Sequence, residues 1–324
     1  MVTFILRRLL FSIPVIVLAS VVIFFGVSSV GDPLGELRTR PNVSQVTLDN
    51  IVERKALDQP LPAQYLLWVQ EATTNRFGTT LLGDRPIWPD LRRALWFTLQ
   101  LVIAAEVLAL IIGIGLGVLS AKRQYSVFDY ATTTISFLGY SIPIFWFALI
   151  LQVIFTNIYR ATGTRIFYTA GLSSTNPGTG LEFFIDRLQH LALPIIALAY
   201  ISLALYSRYM RSSMLEVINA DYVRTARAKG LRETLVTRKH AMRNALIPIV
   251  TLAALNFGAL IGGAIVTEAV FSIPGMGSYF IRALTARDVY PIMAFLMITT
   301  IFIIIANLVA DILYGYLDPR IRNE

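Results

Sequence analysis

Few residues in this sequence have the chemistry of a catalytic or metal site. The chain has 324 residues, no cysteine and two histidines. Disulfides, thiolate ligands and cysteine nucleophiles are therefore excluded, and His190 with His240 are too few for a histidine-rich metal cluster. No GxxxxGK[ST] phosphate loop occurs, so the chain does not cradle a nucleotide in that way. The GIGLG run at Gly113, Gly115 and Gly117 lies inside an apolar stretch and reads as small-residue helix packing, as do Gly258, Gly262 and Gly263. Two features remain: a lone carboxylate, Glu106, in LVIAAEVLALIIG, and a basic segment, 211–247. An ionised carboxylate amid apolar residues is costly and must face the bundle interior, pair or stay protonated.

The elements around these residues are apolar helices. Hydrophobic residues make up 56% of the chain and charged residues 15%, with a mean hydropathy of +0.64. The apolar residues fall in blocks of about twenty, the length that crosses a bilayer core. Six windows stand out: 9–30, 97–119, 131–158, 191–210, 247–270 and 291–314. The first follows Arg7 and Arg8 but is too long for a signal peptide's apolar core, so it is read as a retained helix. The net charge of +8 is assigned to loop topology rather than to nucleic acid. The N-terminus, the second and fourth loops and the tail carry fifteen Lys and Arg, against five in the two shorter loops opposite. Both termini are therefore expected in the cytoplasm. Trp96, Tyr159 and Tyr290 near span ends read as interfacial anchors.

The long loop 31–95 has eight basic and eight acidic residues, with Pro33, Pro41, Pro60, Pro62, Pro86 and Pro89. Apolar residues across 47–75 predict one or two short helices and a small folded cap, with a disordered loop as the alternative. The expected organisation is an N-terminal segment with the first span (1–30), an external cap (31–95), a five-helix core (96–315) holding the loop 211–247, and a cytoplasmic tail (316–324).

Within 211–247, Asn219 or Asp221 is expected to cap a helix beginning at Tyr222. At 3.6 residues per turn, Tyr222, Val223, Ala226 and Gly230 share one face and Arg224, Arg227 and Leu231 lie opposite. Small residues one turn apart let a second surface approach, and the cations beside them can meet acidic groups on it. The alternative is that these charges only enforce topology or touch anionic lipid headgroups.

The run Tyr222-Val223-Arg224-Thr225-Ala226-Arg227-Ala228-Lys229-Gly230, followed by Arg243-Asn244-Ala245-Leu246-Ile247-Pro248, resembles the EAA loop of ABC importer permeases, in particular the oligopeptide, dipeptide and nickel branch. Further resemblance lies in Phe4-Ile5-Leu6-Arg7-Arg8-Leu9-Leu10, Gly31-Asp32-Pro33, Ser141-Ile142-Pro143 with Phe145-Trp146, Phe271-Ser272-Ile273-Pro274-Gly275-Met276-Gly277, and Leu317-Asp318-Pro319-Arg320-Ile321-Arg322. The glutamate and first alanine of the general pattern fall on Arg224 and Thr225, and seventeen residues separate Gly230 from Pro248. That spacing resembles the peptide and nickel branch. Whatever the general glutamate contacts is not carried over to Arg224.

The resemblance implies an all-α integral membrane protein with six transmembrane helices of the type I importer kind, in a bacterial inner membrane. It implies an oligopeptide permease subunit forming half of a translocation pathway with a second, homologous permease, and dipeptide or nickel permeases are the alternatives. Two ATPase subunits would hold ATP and Mg, and an external binding protein would deliver substrate. This chain would bind no cofactor or metal itself and would have no catalytic residues. Asp221, Tyr222, Arg224, Thr225, Ala226, Arg227, Ala228, Lys229 and Gly230 would form the ATPase-coupling helix. Glu106 is either a pathway residue that meets a peptide's amino group or an interhelix contact. Pro143, Pro194 and Pro248 mark hinges or fixed bends. An ion-driven carrier would be expected to carry more intramembrane ionisable groups. A membrane-embedded hydrolase has no plausible nucleophile and base pair here.

Overall fold

A computed structural model of the chain describes residues 2–39 and 43–317. Pro41 and the Asp318 to Arg322 part of the tail resemblance lie outside the described residues, as does the packing around Gly262 and Gly263. The described residues are almost entirely helical, with one isolated antiparallel bridge between Thr79 and Pro86. In order, the helices are α1 (Val2–Ser28), α2 (Gly35–Thr39), α3 (Gln45–Lys55), α4 (Leu61–Thr74), α5 (Ile87–Lys122), α6 (Val127–Ser141), α7 (Ile144–Thr162) and α8 (Leu181–Ile218). They continue with α9 (Asp221–Ala228), α10 (Glu233–Leu235), a π-helical turn (Val236–Ala241), α11 (Met242–Ala245), α12 (Ile247–Val270), α13 (Met276–Ala286) and α14 (Val289–Leu317).

Among the described residues, five helices are long and apolar enough to cross a membrane, and there are six if the pair Glu233–Ala245 with Ile247–Gly258, bent by 48°, is counted as one span. Two of the expected spans differ in form. The window 131–158 is not one helix: Ile142 and Pro143 are extended, so α6 ends and α7 starts anew. Proline lacks the N–H a continuing helix needs and pushes the residue before it out of helical geometry. The window 191–210 is only the centre of α8, whose 38 residues give a rod of about 57 Å at 1.5 Å per residue, well beyond the bilayer's apolar thickness. The three marked prolines therefore act differently. Pro143 separates two helices, Pro194 sits buried inside an unbroken α8, and Pro248 lies in the first turn of α12, at the 48° bend.

The chain forms two compact units. One comprises residues 99–273 with 2–5 and 305–317; the other comprises 6–39, 43–98 and 274–304. The first is built around α8, which packs on α6, α7, α11 and α12. Gly113 and Gly117 make its contact with α5: a β-carbon on Gly113 would stand 2.9 Å from Tyr206 Cβ, and one on Gly117 2.6 Å from Met210 Cβ and 2.7 Å from the Ser207 carbonyl. Gly115, on the other side of α5, faces open space. The packing reading of this glycine run therefore holds for its two outer members.

In the second unit, the stretch expected to hold one or two short helices holds α3 and α4. Ser44 caps α3 by accepting from Thr47 N at 3.2 Å. Leu48, Ile51 and Trp68 are buried, and Phe24 and Phe25 of α1 meet Tyr65, Phe24 also meeting Trp68. Lys55 is buried too, its ammonium 3.3 Å from Glu71 and 4.4 Å over the Tyr290 ring. Tyr290 is thus an internal residue and not the exposed anchor its position near a span end suggests; Trp96 and Tyr159 are exposed. Asp288 accepts from Leu81 N at 2.8 Å, fastening residues 79–86 to the start of α14. On α1, Leu10, Phe11, Val15, Leu18 and Val22 present an exposed apolar face, as a helix that meets lipid does.

Candidate functional site

The basic segment 211–247 folds into a hairpin between α8 and α12. The helix falls where the spacing puts it, but its ends and its buried face differ. It starts after Ala220, which caps it with backbone alone. Asn219 instead ends α8 and donates to Leu215 O at 3.1 Å, and Asp221 is the first helical residue. Gly230 follows the helix with φ +76°, a left-handed conformation that a β-carbon disfavours.

Val223 and Ala226 are buried within the chain, while Asp221, Tyr222, Arg224, Thr225, Ala228 and Lys229 are exposed. The face expected to receive a partner is therefore turned inward at Val223 and Ala226. The free surface is the neighbouring one, with Arg224, Thr225, Ala228 and Lys229 on it. The reason is local: in DYVRTARA, Val223 and Ala226 are the residues, three apart, that an amphipathic helix turns against its own protein.

Four ties brace the hairpin. Asn244 Nδ2 donates to Tyr222 OH at 2.8 Å, joining the two motif halves. Arg227 donates to both Glu233 oxygens at 3.1 and 2.9 Å and to Ile218 O at 3.2 Å. Ser213 Oγ donates to Ala245 O at 3.0 Å. Arg227 is thus a brace rather than a free cation. Arg224 has only a weak exposed pair, 3.8 Å from Asp221.

Glu106 lies on α5 at 7% exposure. Tyr206 OH of α8 donates to its Oε1 at 2.5 Å, and Asn256 Nδ2 of α12 lies 3.3 Å from its Oε2. The same amide reaches Ser202 Oγ at 2.7 Å and Tyr206 OH at 3.0 Å. One carboxylate therefore has partners on two other helices, the geometry of an interhelix contact. Tyr206 and Asn256 were legible only as polar residues in apolar runs. Glu268, fully buried near the end of α12, has no signal in the motif pattern. Glu106→Ala will lower stability in detergent by about 1–2 kcal/mol, since hydrogen bonds between membrane helices are modest. Glu106→Gln will cost less, because an amide oxygen still accepts from Tyr206. Thermal unfolding of the purified protein measures both.

A second polar cluster has no signal in the motif pattern. Asp129, 2% exposed at the start of α6, accepts from Arg211 Nε at 2.5 Å and Nη2 at 2.7 Å. It also accepts from Ser120 Oγ and from Tyr125 N, the latter at 3.0 Å. The Arg211 fork holds the Asp129 carboxyl well below the usual carboxylate range. Because the folded-state value is depressed, the pair's stabilisation is fully present above the ordinary carboxylate range, declines as pH falls below it and is gone once pH has fallen through the lowered value.

Comparisons with known proteins bear on the family and the fold. The family described as "Binding-protein-dependent transport system inner membrane component" matches residues 113–323. The oligopeptide transport system permease protein AppB of Bacillus subtilis (strain 168) is 40% identical over 324 residues, covering 99% of this chain and 100% of the relative. The dipeptide transport system permease protein DppB of Escherichia coli (strain K12) is 36% identical over 339 residues, covering 100% of both. Among solved structures, the MetNI methionine ABC transporter in an inward-facing conformation superposes with a TM-score of 0.51 at 20% identity, covering 70% of this chain and 96% of that one. An amino acid ABC transporter with histidines gives 0.51 at 13%, covering 70% and 94%.

Fold and matches together define a multi-span helical permease with the fold of type I ABC importers. The chain belongs to the family of binding-protein-dependent transport system inner membrane components. It is a permease subunit of an ABC importer.

Proposed function

We propose that this permease imports oligopeptides across a bacterial inner membrane, as one of two homologous permease subunits enclosing the pathway. The observation that carries this reading is full-length similarity to AppB and DppB, at 40% and 36% identity. An external binding protein delivers the peptide, and two ATPase subunits hold ATP and Mg. This chain contributes no nucleotide site and binds no metal or cofactor. Both termini and α9 face the cytoplasm, where α9 meets an ATPase subunit through Arg224, Thr225, Ala228 and Lys229. Motion there is transmitted as rigid-body movement of the attached spans. The exposed apolar face of α1 meets lipid.

The similarity to DppB keeps a dipeptide importer as the second reading. Uptake by the full complex in proteoliposomes separates the two. With ATP and loaded binding protein, labelled pentapeptide will accumulate at least tenfold above an ATP-free control, an effect of the size that coupled systems show. Unlabelled dipeptide will compete weakly. Uptake of dipeptide alone would move the assignment to the second reading, and uptake of nickel ion alone would remove peptides from it.

A further inference from the structure

A helix pushed at one end can bend or rotate alone, so a push on α9 reaches the spans as a unit only if the end of α8 is fastened to its neighbours. Between Arg211 and α9 lie the last residues of α8, 212–218, and the two-residue link Asn219 and Ala220. Arg211 therefore stands about 10 Å along the helix from its end. At this level α5 runs directly against α8, since a β-carbon on Gly117 would be 3.0 Å from Arg211 N. Small-residue contacts of this kind permit sliding; a two-bond guanidinium fork does not, because both its direction and its distance are fixed.

That fork is the Asp129–Arg211 pair. The Asp129 carboxylate collects four donor groups: Arg211 Nε and Nη2 from α8, Ser120 Oγ from the last turns of α5, and Tyr125 N from the link before α6. Its own backbone N donates to Ser126 Oγ at 3.2 Å, capping α6. Ser120 is fully buried. One side chain thus holds the ends of α5 and α8 and the start of α6 together. On the hairpin side of α8, two residues later, Ser213 is tied to Ala245 O.

We propose that Asp129, through its forked pair with Arg211, is a positioning residue for coupling: it fastens the end of α5 and the start of α6 to α8, so that displacement of α9 moves three helices together. This rests on the reading of α9 as the ATPase-contacting helix. Asp129 touches neither substrate nor nucleotide, and its contribution is the efficiency with which hydrolysis becomes transport.

The test uses the full complex in proteoliposomes and compares Asp129→Asn with Arg211→Lys, which keeps the charge but loses the fork. Peptide uptake, ATP hydrolysis and their ratio are measured, together with recovery of ATPase subunits on purification. Asp129→Asn will retain its ATPase subunits and hydrolyse ATP within about twofold of the parent, while peptide moved per ATP falls about tenfold. Arg211→Lys will lower that ratio about threefold. An unchanged ratio in both variants, or uptake and hydrolysis falling in proportion, would assign the pair a purely structural role and overturn the proposal. If Asp129→Asn does not accumulate, the Arg211→Lys ratio decides. Failure of the underlying reading is separate and is seen in the unsubstituted chain, as absent ATP-driven peptide uptake or absent contact between α9 and an ATPase subunit.

Discussion

Single cysteines placed at Thr225 and at Ala228 will crosslink to an ATPase subunit, and one at Ala226 will not. The chain has no native cysteine, so each probe reports one position. Thr225 and Ala228 lie on the exposed side of α9, whereas Ala226 is 5% exposed and packed inside the hairpin. Thr225→Trp or Ala228→Trp will place a bulky ring in the proposed contact and reduce co-purified ATPase at least tenfold, the loss expected when an interface loses about 2 kcal/mol. Membrane insertion will be unaffected, because both side chains are exposed and the one bond lost, Thr225 Oγ1 to Asp221 O, lies within α9 itself. Arg224→Glu will act in the same direction if an acidic partner surface faces it. Equal crosslinking from all three cysteines would mean that α9 does not present this face, and normal recovery of ATPase with both tryptophans would remove the docking assignment.

Replacing Gly117 by leucine will have a larger effect on the folded protein than any other single change considered. Its β-carbon alone would fall 2.6 Å from Met210 Cβ, 2.7 Å from the Ser207 carbonyl and 3.0 Å from Arg211 N. Two of these three neighbours are backbone atoms of α8, which cannot swing aside as a side-chain tip can. The helices must separate, at a cost of about 3 kcal/mol or more. That separation also pulls Ser120 and Asp129 from Arg211. Gly115→Leu is the control, since nothing lies within 4 Å of a β-carbon there. Quantifying detergent-soluble, monodisperse protein will give less than a tenth of the parent yield for Gly117→Leu and near-parent yield for Gly115→Leu. Similar yields for the two would show that the α5 and α8 contact is looser than described.

Length and apolarity determined a great deal. Blocks of about twenty apolar residues leave the backbone few options in lipid other than helices, so the helical class was fixed without tertiary information. Ser44 and Ser126 cap helices through local side-chain geometry, and the restriction proline places on its own and the preceding residue divided α6 from α7 at Pro143. The motif around Tyr222 to Gly230 identified the helix because its residues are contiguous.

Which side of that helix is free was settled by packing, since burial of Val223 and Ala226 depends on the π-helical turn folding back against α9. The same holds for Asp129 with Arg211, 82 residues apart, and for Glu106 with Asn256, 150 residues apart. Each residue type is visible in the sequence, but pairing across such separations arises only when helices meet. The low cost of leaving a polar side chain in water, set against its high cost when buried alone, then makes the meeting specific.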